Sequence, residues 1–323
     1  MAVYTEVTDD ALRTFLADYD LGELVAFRGI AEGVENSNYA LKTTDGDFIL
    51  TLYEKRVDPA DLPFFLGLME HLAARGVTCP RPVTTRDGAV LRTLSGRHAA
   101  ITTFLPGVWP RSVRLAHCAP VGAALAALHL AGADYPVTRA NALGPGGWQA
   151  LLTRALADGG AAAESLSPGL PDELRAALAR ILAAWPDDLP RGQIHADLFP
   201  DNVFFLGGTV SGLIDFYFAA TDFLAYDVAV CLNAWCFEPD LSCNVTKARA
   251  LLGGYGVRRK LTEAELRALP VLAQGAAIRF ALTRLYDWVH TPPGALVTRK
   301  DPRDYVRRLR FHLAARDASA YGL

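Results

Sequence analysis

The chain has 323 residues, a length suited to about two domains and a sizeable core. Hydrophobic residues make up 51%, charged residues 21%, and the net charge is −3, a balance with no field strong enough to recruit nucleic acid or an anionic membrane. The five cysteines (Cys79, Cys118, Cys231, Cys236, Cys243) are scattered and form no CxxC pair, which excludes a disulfide framework or structural zinc site as the reading and points to reduced thiols. The opening MAVYTEVTDDALRTFL has no basic region leading into an apolar one, and no later apolar run is long enough to cross a bilayer, so the expected location is the cytoplasm.

After a helical opening, LVAFRGIAEGVENSNYALKTTDGDFILTLYEK predicts extended runs over Asn38 to Lys42 and Phe48 to Tyr53, joined by the turn Asp45-Gly46. From Leu62 the apolar residues Leu62, Phe65, Leu66, Met69 and Leu72 recur at helical spacing until Gly76, which predicts a helix packed on that sheet. A second strand pair is expected around Asp87-Gly88, ending in HAAITTFLPG, where Pro106-Gly107 breaks the pattern. Residues 1–105 are therefore expected to form an N-terminal lobe of antiparallel sheet plus helix. Residues 106–323 form a mostly helical second lobe. Val121, Leu125 and Leu128 share one stripe; ELRAALARILAAW, YDVAVCLNAW, a capping box at Thr262 and Glu265, and Val271 to Val289 follow. The β interruption of this lobe is NVFFLGGTVSGLIDFYF, two apolar strands turning at Gly207-Gly208. The fold class is α+β and bilobal.

Just before that hairpin stands HADLFPDN, His195 to Asn202. With Asp215 at the far end of the hairpin, the loop brings Asp197, Asn202 and Asp215 to one edge. Phosphoryl transfer needs such a set: a carboxylate to orient and deprotonate the attacking hydroxyl, and oxygen ligands to hold magnesium against nucleotide phosphates. The octet aligns without a gap on the protein-kinase catalytic loop H-R-D-L-x-x-x-N, and Asp215 falls where the D-F-G aspartate stands, although the sequence reads Asp215-Phe216-Tyr217. A carboxylate in a run as apolar as GLIDF is expected to be buried and to bind something. His195 reads as a brace for the loop and Asp201 as a turn residue.

The element over the phosphates is expected in GIAEGVENSNY. Gly29 and Gly33 allow tight backbone there, and Asn36, Ser37 and Asn38 offer donors. TTFLPG reads as the hinge between lobes, with backbone groups for adenine and Phe104 or Leu105 against the base.

Together these stretches resemble the aminoglycoside-phosphotransferase-like branch of the protein-kinase-like fold. Within it, MAVYTEV, GIAEGVENSNY, FILTLYEKRVDPADLPFF, HADLFPDN and DVAVCLNAWCFE look like the bacterial homoserine kinases, over essentially the whole chain. The resemblance implies Asp197 as base, Asn202 and Asp215 as Mg2+ ligands, the 29–38 loop over the phosphates of ATP, and phosphorylation of the hydroxyl of L-homoserine in threonine biosynthesis. The sequence departs from the protein-kinase pattern where Thr51 holds the position of the phosphate-binding lysine. Lys55, Arg56 and Lys42 are the candidate replacements, with Glu70 the acidic residue placed to pair with one. L-Homoserine carries an ammonium and a carboxylate, for which Arg284 and Asp287, sharing a helix face, are the candidate partners, with Trp235 as a pocket wall. The competing readings are a kinase of another small alcohol (methylthioribose, choline, an aminoglycoside) and a nucleotide-binding pseudokinase.

Overall fold

A computed structural model describes residues 4–30, 36–54, 57–291 and 299–323. Helix α1 (Asp9–Leu16) opens the chain; Thr8 caps it by accepting the Ala11 N–H, and Asp9 and Asp10 sit in its first turn, where carboxylates favour the helix dipole. Strands β1 (Leu24–Gly29), β2 (Ser37–Thr43) and β3 (Asp47–Leu52) are followed by helix α2 (Leu62–Ala74) and strands β4 (Arg92–Leu94) and β5 (Arg97–Thr103). The five strands form one antiparallel sheet in the order β1-β2-β3-β5-β4. Side chains alternate across it. Tyr39, Leu41, Leu50, Leu52 and Ile101 close on Leu12, Phe15 and Leu16 of α1, while the register pairs Asn38 with Thr51 and Ala40 with Ile49 on the opposite face.

Two expectations are corrected here. The β4–β5 hairpin turns at Ser95-Gly96, whose φ values of 50° and 74° are the two successive left-handed residues a tight turn needs. The Asp87-Gly88 pair instead serves a local loop, in which Asp87 accepts from Thr85 and Arg92. The helix on the sheet's core face is α1; α2 is apolar around its circumference and shares the larger core with the helical lobe.

The chain leaves the sheet at Thr103. Val108 and Phe205 then exchange backbone hydrogen bonds at 3.1 and 2.9 Å, so the linker is fastened to the second lobe before its first helix begins. Helices α3 (Leu115–Ala131), α4 (Pro145–Leu166) and α5 (Leu170–Ala183) precede four short strands, β6 (Arg191–Ile194), β7 (Val203–Leu206), β8 (Thr209–Leu213) and β9 (Ala220–Phe223). β6 pairs with β9 and β7 with β8, the latter turning at Gly207-Gly208 with φ of 59° and 86°. Helices α6 (Leu224–Trp235), α7 (Val245–Arg258), α8 (Glu263–His290) and α9 (Arg303–Ala314) complete the lobe. Thr262 and Glu265 cap each other's backbone at the start of α8, as their spacing predicts. Among the described residues, no helix is long and apolar enough to cross a membrane.

Candidate active site

The octet runs from the end of β6 to the start of β7, and a residue of α6 fixes its path. Asp227 accepts the backbone N–H groups of His195 and Ala196 at 2.7 and 2.9 Å, and His129 Nε2 of α3 lies 3.1 Å from the same carboxylate. Burial pushes the Asp227 carboxyl up, but His129 and the backbone bonds outweigh it and hold the group below its ordinary value. The two N–H bonds hold Ala196 at a φ of 62°, a left-handed conformation that a residue with a Cβ seldom adopts.

His195 is a brace, as its sequence context suggests. Its Nε2 lies 2.9 Å from the Ile214 carbonyl, which can only accept, so Nε2 carries the hydrogen and Nδ1 is left to accept the Asp197 N–H at 3.3 Å. Both ring nitrogens are occupied, and burial holds the imidazole below its ordinary pKa, in the neutral form.

The Asp197 side chain stays partly exposed, with its Oδ2 3.3 Å from Asn202 Nδ2, which also donates to the Asp197 carbonyl at 2.8 Å. Among the described residues Asn202 Oδ1 accepts no hydrogen bond. Burial raises the Asp197 carboxyl above its ordinary value, against the pull of Arg279 and then His195. The Ile214 N–H donates to the Asn202 carbonyl, which ties the loop to the segment carrying Asp215. Asp215 itself corrects an expectation. It lies beyond the end of β8 in a left-handed turn, φ 64° and ψ 65°, and its side chain is exposed, not buried in the strand. Leu213 and Phe216 on either side serve the core while the turn carries Asp215 out to the surface. The amide oxygen of Asn202 and the carboxylate of Asp215 are the donor types that could hold a hard cation, whose remaining ligands would come from phosphates and water.

On the sheet side, Gly29 ends β1; Gly33 lies outside the described residues, as do Lys55 and Arg56. Ser37 is corrected as a phosphate donor: its hydroxyl hydrogen goes to Glu54 at 2.8 Å and its oxygen accepts the N–H groups of Tyr4 and Thr5. Asn36 accepts the Glu54 N–H and Asn38 accepts the Thr51 hydroxyl through Oδ1, which leaves each amide nitrogen as a donor. Thr51 thus fills the expected lysine position with a hydroxyl bonded to its neighbour strand, beside the Tyr53–Tyr217 hydroxyl pair at 3.1 Å. Lys42 is exposed near the β2–β3 turn, four residues along the strand from Asn38, which is about 13 Å. Glu70 is taken by a bidentate bond to Arg81 and supplies no partner for a phosphate-binding lysine.

At the linker, Phe104 donates its N–H to Asp47, Ser211 donates to the Pro106 carbonyl, and Leu105 packs over Gly212 of β8. Among the described residues the Leu105 N–H has no protein acceptor.

The profile of the phosphotransferase enzyme family matches residues 26–261. The chain belongs to that family. Curated relatives of this phosphotransferase include the homoserine kinases of Granulibacter bethesdensis, 71% identical, and Acidiphilium cryptum, 70% identical, each covered over 100% of both chains. Among solved structures, an amicoumacin kinase in complex with AMP-PNP and Ca2+ superposes with a TM-score of 0.67 at 15% identity, over 95% of this chain and 92% of that one. The choline kinase of Cryptosporidium parvum superposes with a TM-score of 0.66 at 13% identity, over 95% and 94%. The fold is that of these small-molecule kinases.

Arg284 of this phosphotransferase donates through Nη1 to the Asp301 carbonyl and to Asp304 Oδ2, both at 3.2 Å, and its guanidinium lies 4.5 Å from the Tyr305 ring centre. Asp287 is half-buried one turn further on. Trp235 is corrected as a pocket wall: it is fully enclosed, and its indole N–H donates to the Leu198 carbonyl at 2.8 Å, supporting the catalytic loop from beneath. Sequence reasoning missed Asp227, His129 and Arg279. Arg279 had a signal, a lone cation in GAAIRFAL, by the same logic that singled out Asp215.

Proposed function

We infer that the protein transfers the γ-phosphoryl group of ATP to the hydroxyl of L-homoserine, yielding O-phospho-L-homoserine for threonine biosynthesis. The observation that carries this reading is end-to-end similarity to homoserine kinases, supported by a loop in which Asn202 bonds Asp197 and accepts the N–H of Ile214, the residue before Asp215. Asp197 orients the acceptor hydroxyl and takes its proton as the oxygen attacks, while Asn202, bonded to the same carboxylate, keeps it turned toward the acceptor. Asn202 Oδ1 and Asp215 would hold Mg2+, which when bound offsets the charge of the transferring phosphates. The Leu105 N–H and the side chains of Phe104 and Leu105 meet adenine, and Gly29, Asn36 and Asn38 face the phosphates. Arg284 reads the carboxylate of L-homoserine and Asp287 its ammonium, an assignment supported by the half-buried guanidinium close to Tyr305, which itself feels the charge of Asp197. An ATP-consuming step of this kind belongs in the cytoplasm.

The test is ATP consumption over a panel of L-homoserine, choline, methylthioribose and an aminoglycoside. L-Homoserine should give the highest kcat/KM. Turnover of choline or the aminoglycoside with none of L-homoserine would refute the reading.

A further inference from the structure

Arg279 lies midway along α8 and is almost wholly buried, its side chain 2% exposed. Its guanidinium touches three parts of the catalytic apparatus. Nη1 donates to the Ala196 carbonyl, the group lies 5.5 Å from the ring centre of Phe218 in the segment after Asp215, and it stacks 4.3 Å from Phe280, which packs on Phe199 of the catalytic loop. Nη2 stands 3.9 Å from Asp197 Oδ1, and among the described residues Nε has no hydrogen-bond partner.

This arrangement is unusual for a structural ion pair. A buried arginine kept for stability closes on its carboxylate through two bonds at roughly 2.7–2.9 Å and leaves no donor orphaned, since an incompletely paired buried charge is destabilising. Here the nearest carboxylate is held beyond hydrogen-bond distance while the cation is anchored elsewhere, on Ala196 and between two aromatic rings. The Asp197 carboxylate is consequently divided. Oδ2 is held by Asn202, and Oδ1 receives a positive field with no hydrogen placed on it.

We propose that Arg279 is a positioning residue of the phosphoryl transfer, acting through Asp197: anchored on Ala196 and against Phe218 and Phe280, it faces Oδ1 from 3.9 Å and holds the carboxylate oriented while leaving Oδ1 open to the incoming hydroxyl. The proposal rests on Asp197 being the base of the reaction inferred above. A guanidinium that bonded Oδ1 directly would occupy the lone pairs meant for the acceptor. One absent altogether would leave the carboxylate facing only the weaker pull of Lys300 among the described lysine and arginine side chains, with nothing at Oδ1 to orient it. The 3.9 Å separation meets both requirements.

The experiment is steady-state kinetics with L-homoserine for Arg279→Lys, Arg279→Met and the double variant Arg279→Met/Asp197→Asn, with melting temperatures recorded. The parent's turnover of L-homoserine, measured first, tests the functional reading separately. Arg279→Lys, which keeps the charge, should retain kcat within about tenfold of the parent, and Arg279→Met should lose about a hundredfold or more with the KM for ATP nearly unmoved. On the Asp197→Asn background the Met substitution should cost little more, because the carboxylate it acts through is gone. A kcat of Arg279→Met within about threefold of the parent, equal losses for Lys and Met, or a full additive loss on the Asp197→Asn background would each overturn the proposal and leave Arg279 a packing residue. Should Arg279→Met not fold, the folded Lys variant decides: activity near the parent supports the proposal, and activity as low as that of Asp197→Asn overturns it.

Discussion

Asp227 reaches from α6 to accept the N–H of His195 at 2.7 Å, so a fully buried helix carboxylate sets the backbone of the loop that carries Asp197. Replacing it with an isosteric amide removes the charge and puts an NH2 group or a weaker acceptor against two backbone donors. Asp227→Asn should therefore cost about 3–5 kcal/mol of stability, the usual loss when one partner of a buried charge network is removed. It should also lower kcat although it never meets substrate. Chemical denaturation and kinetics on the same preparation check this, and an unchanged melting midpoint would sink it.

Asp197→Asn should keep the fold and nucleotide binding while lowering kcat by about 10²–10⁴, since orientation and proton acceptance are lost together. The carboxyl is raised by burial in the native protein, so the amide relieves a desolvated charge and the melting temperature should not fall. A correctly folded Asp197→Asn protein turning over near the parent's rate would remove Asp197 from the mechanism.

The metal assignment predicts that Asp215→Ala weakens Mg2+-ATP binding in calorimetry but leaves metal-free ATP binding almost unchanged. Exposure of Asp215 on its left-handed turn makes the substitution tolerable to the fold. Equal affinities of parent and variant for Mg2+-ATP would rule out its role as a ligand.

If Arg284 reads the carboxylate of L-homoserine, Arg284→Ala should raise the KM for L-homoserine by an amount worth about 2–5 kcal/mol, with the KM for ATP barely changed. An amino alcohol without the carboxylate should be a poor substrate for the parent and nearly indifferent to the substitution. Equal losses for both acceptors would return Arg284 to its observed structural partners, Asp304 and Tyr305.

His312 on α9 makes stability pH-dependent. It is buried between Asn233 Oδ1 and the Tyr321 hydroxyl, and burial together with Arg308 lowers its pKa to about 3. Below the unfolded value of roughly 6.5 the unfolded chain binds a proton that the native chain refuses, so stability is full above that pH and declines as pH falls toward about 3. The loss from this residue is about 2 kcal/mol between pH 6.5 and 5. Urea titrations at pH 7 and pH 5 should show a smaller difference for His312→Gln than for the parent; the same difference in both would contradict the assignment.

Local patterns were legible in the sequence because their causes are local. Asp45-Gly46 and Gly207-Gly208 turn because few residues tolerate the backbone a tight hairpin demands, and Thr262 with Glu265 starts a helix by satisfying orphan N–H groups within four residues. The spacing of His195, Asp197 and Asn202 marked the candidate loop for the same reason, since the loop's internal bonds reach no further than its own length. What the sequence could not decide was partnership across long separations. Asp87-Gly88 carried a turn signal as good as that of Ser95-Gly96, and only strand pairing chose between them. Asp215 sits in an apolar run and yet is exposed, because one left-handed residue turned it out of the strand. Asp227 and Arg279 bond the loop across 31 and 83 residues, His129 stands behind Asp227, and Trp235 acquired its acceptor only when α6 packed beneath Leu198. Residue type and spacing singled out Asp197, Asn202 and Asp215 as the candidate groups for the chemistry. The tertiary structure decided which charges face them, because burial and the low dielectric it creates arise only when distant helices close on the same loop.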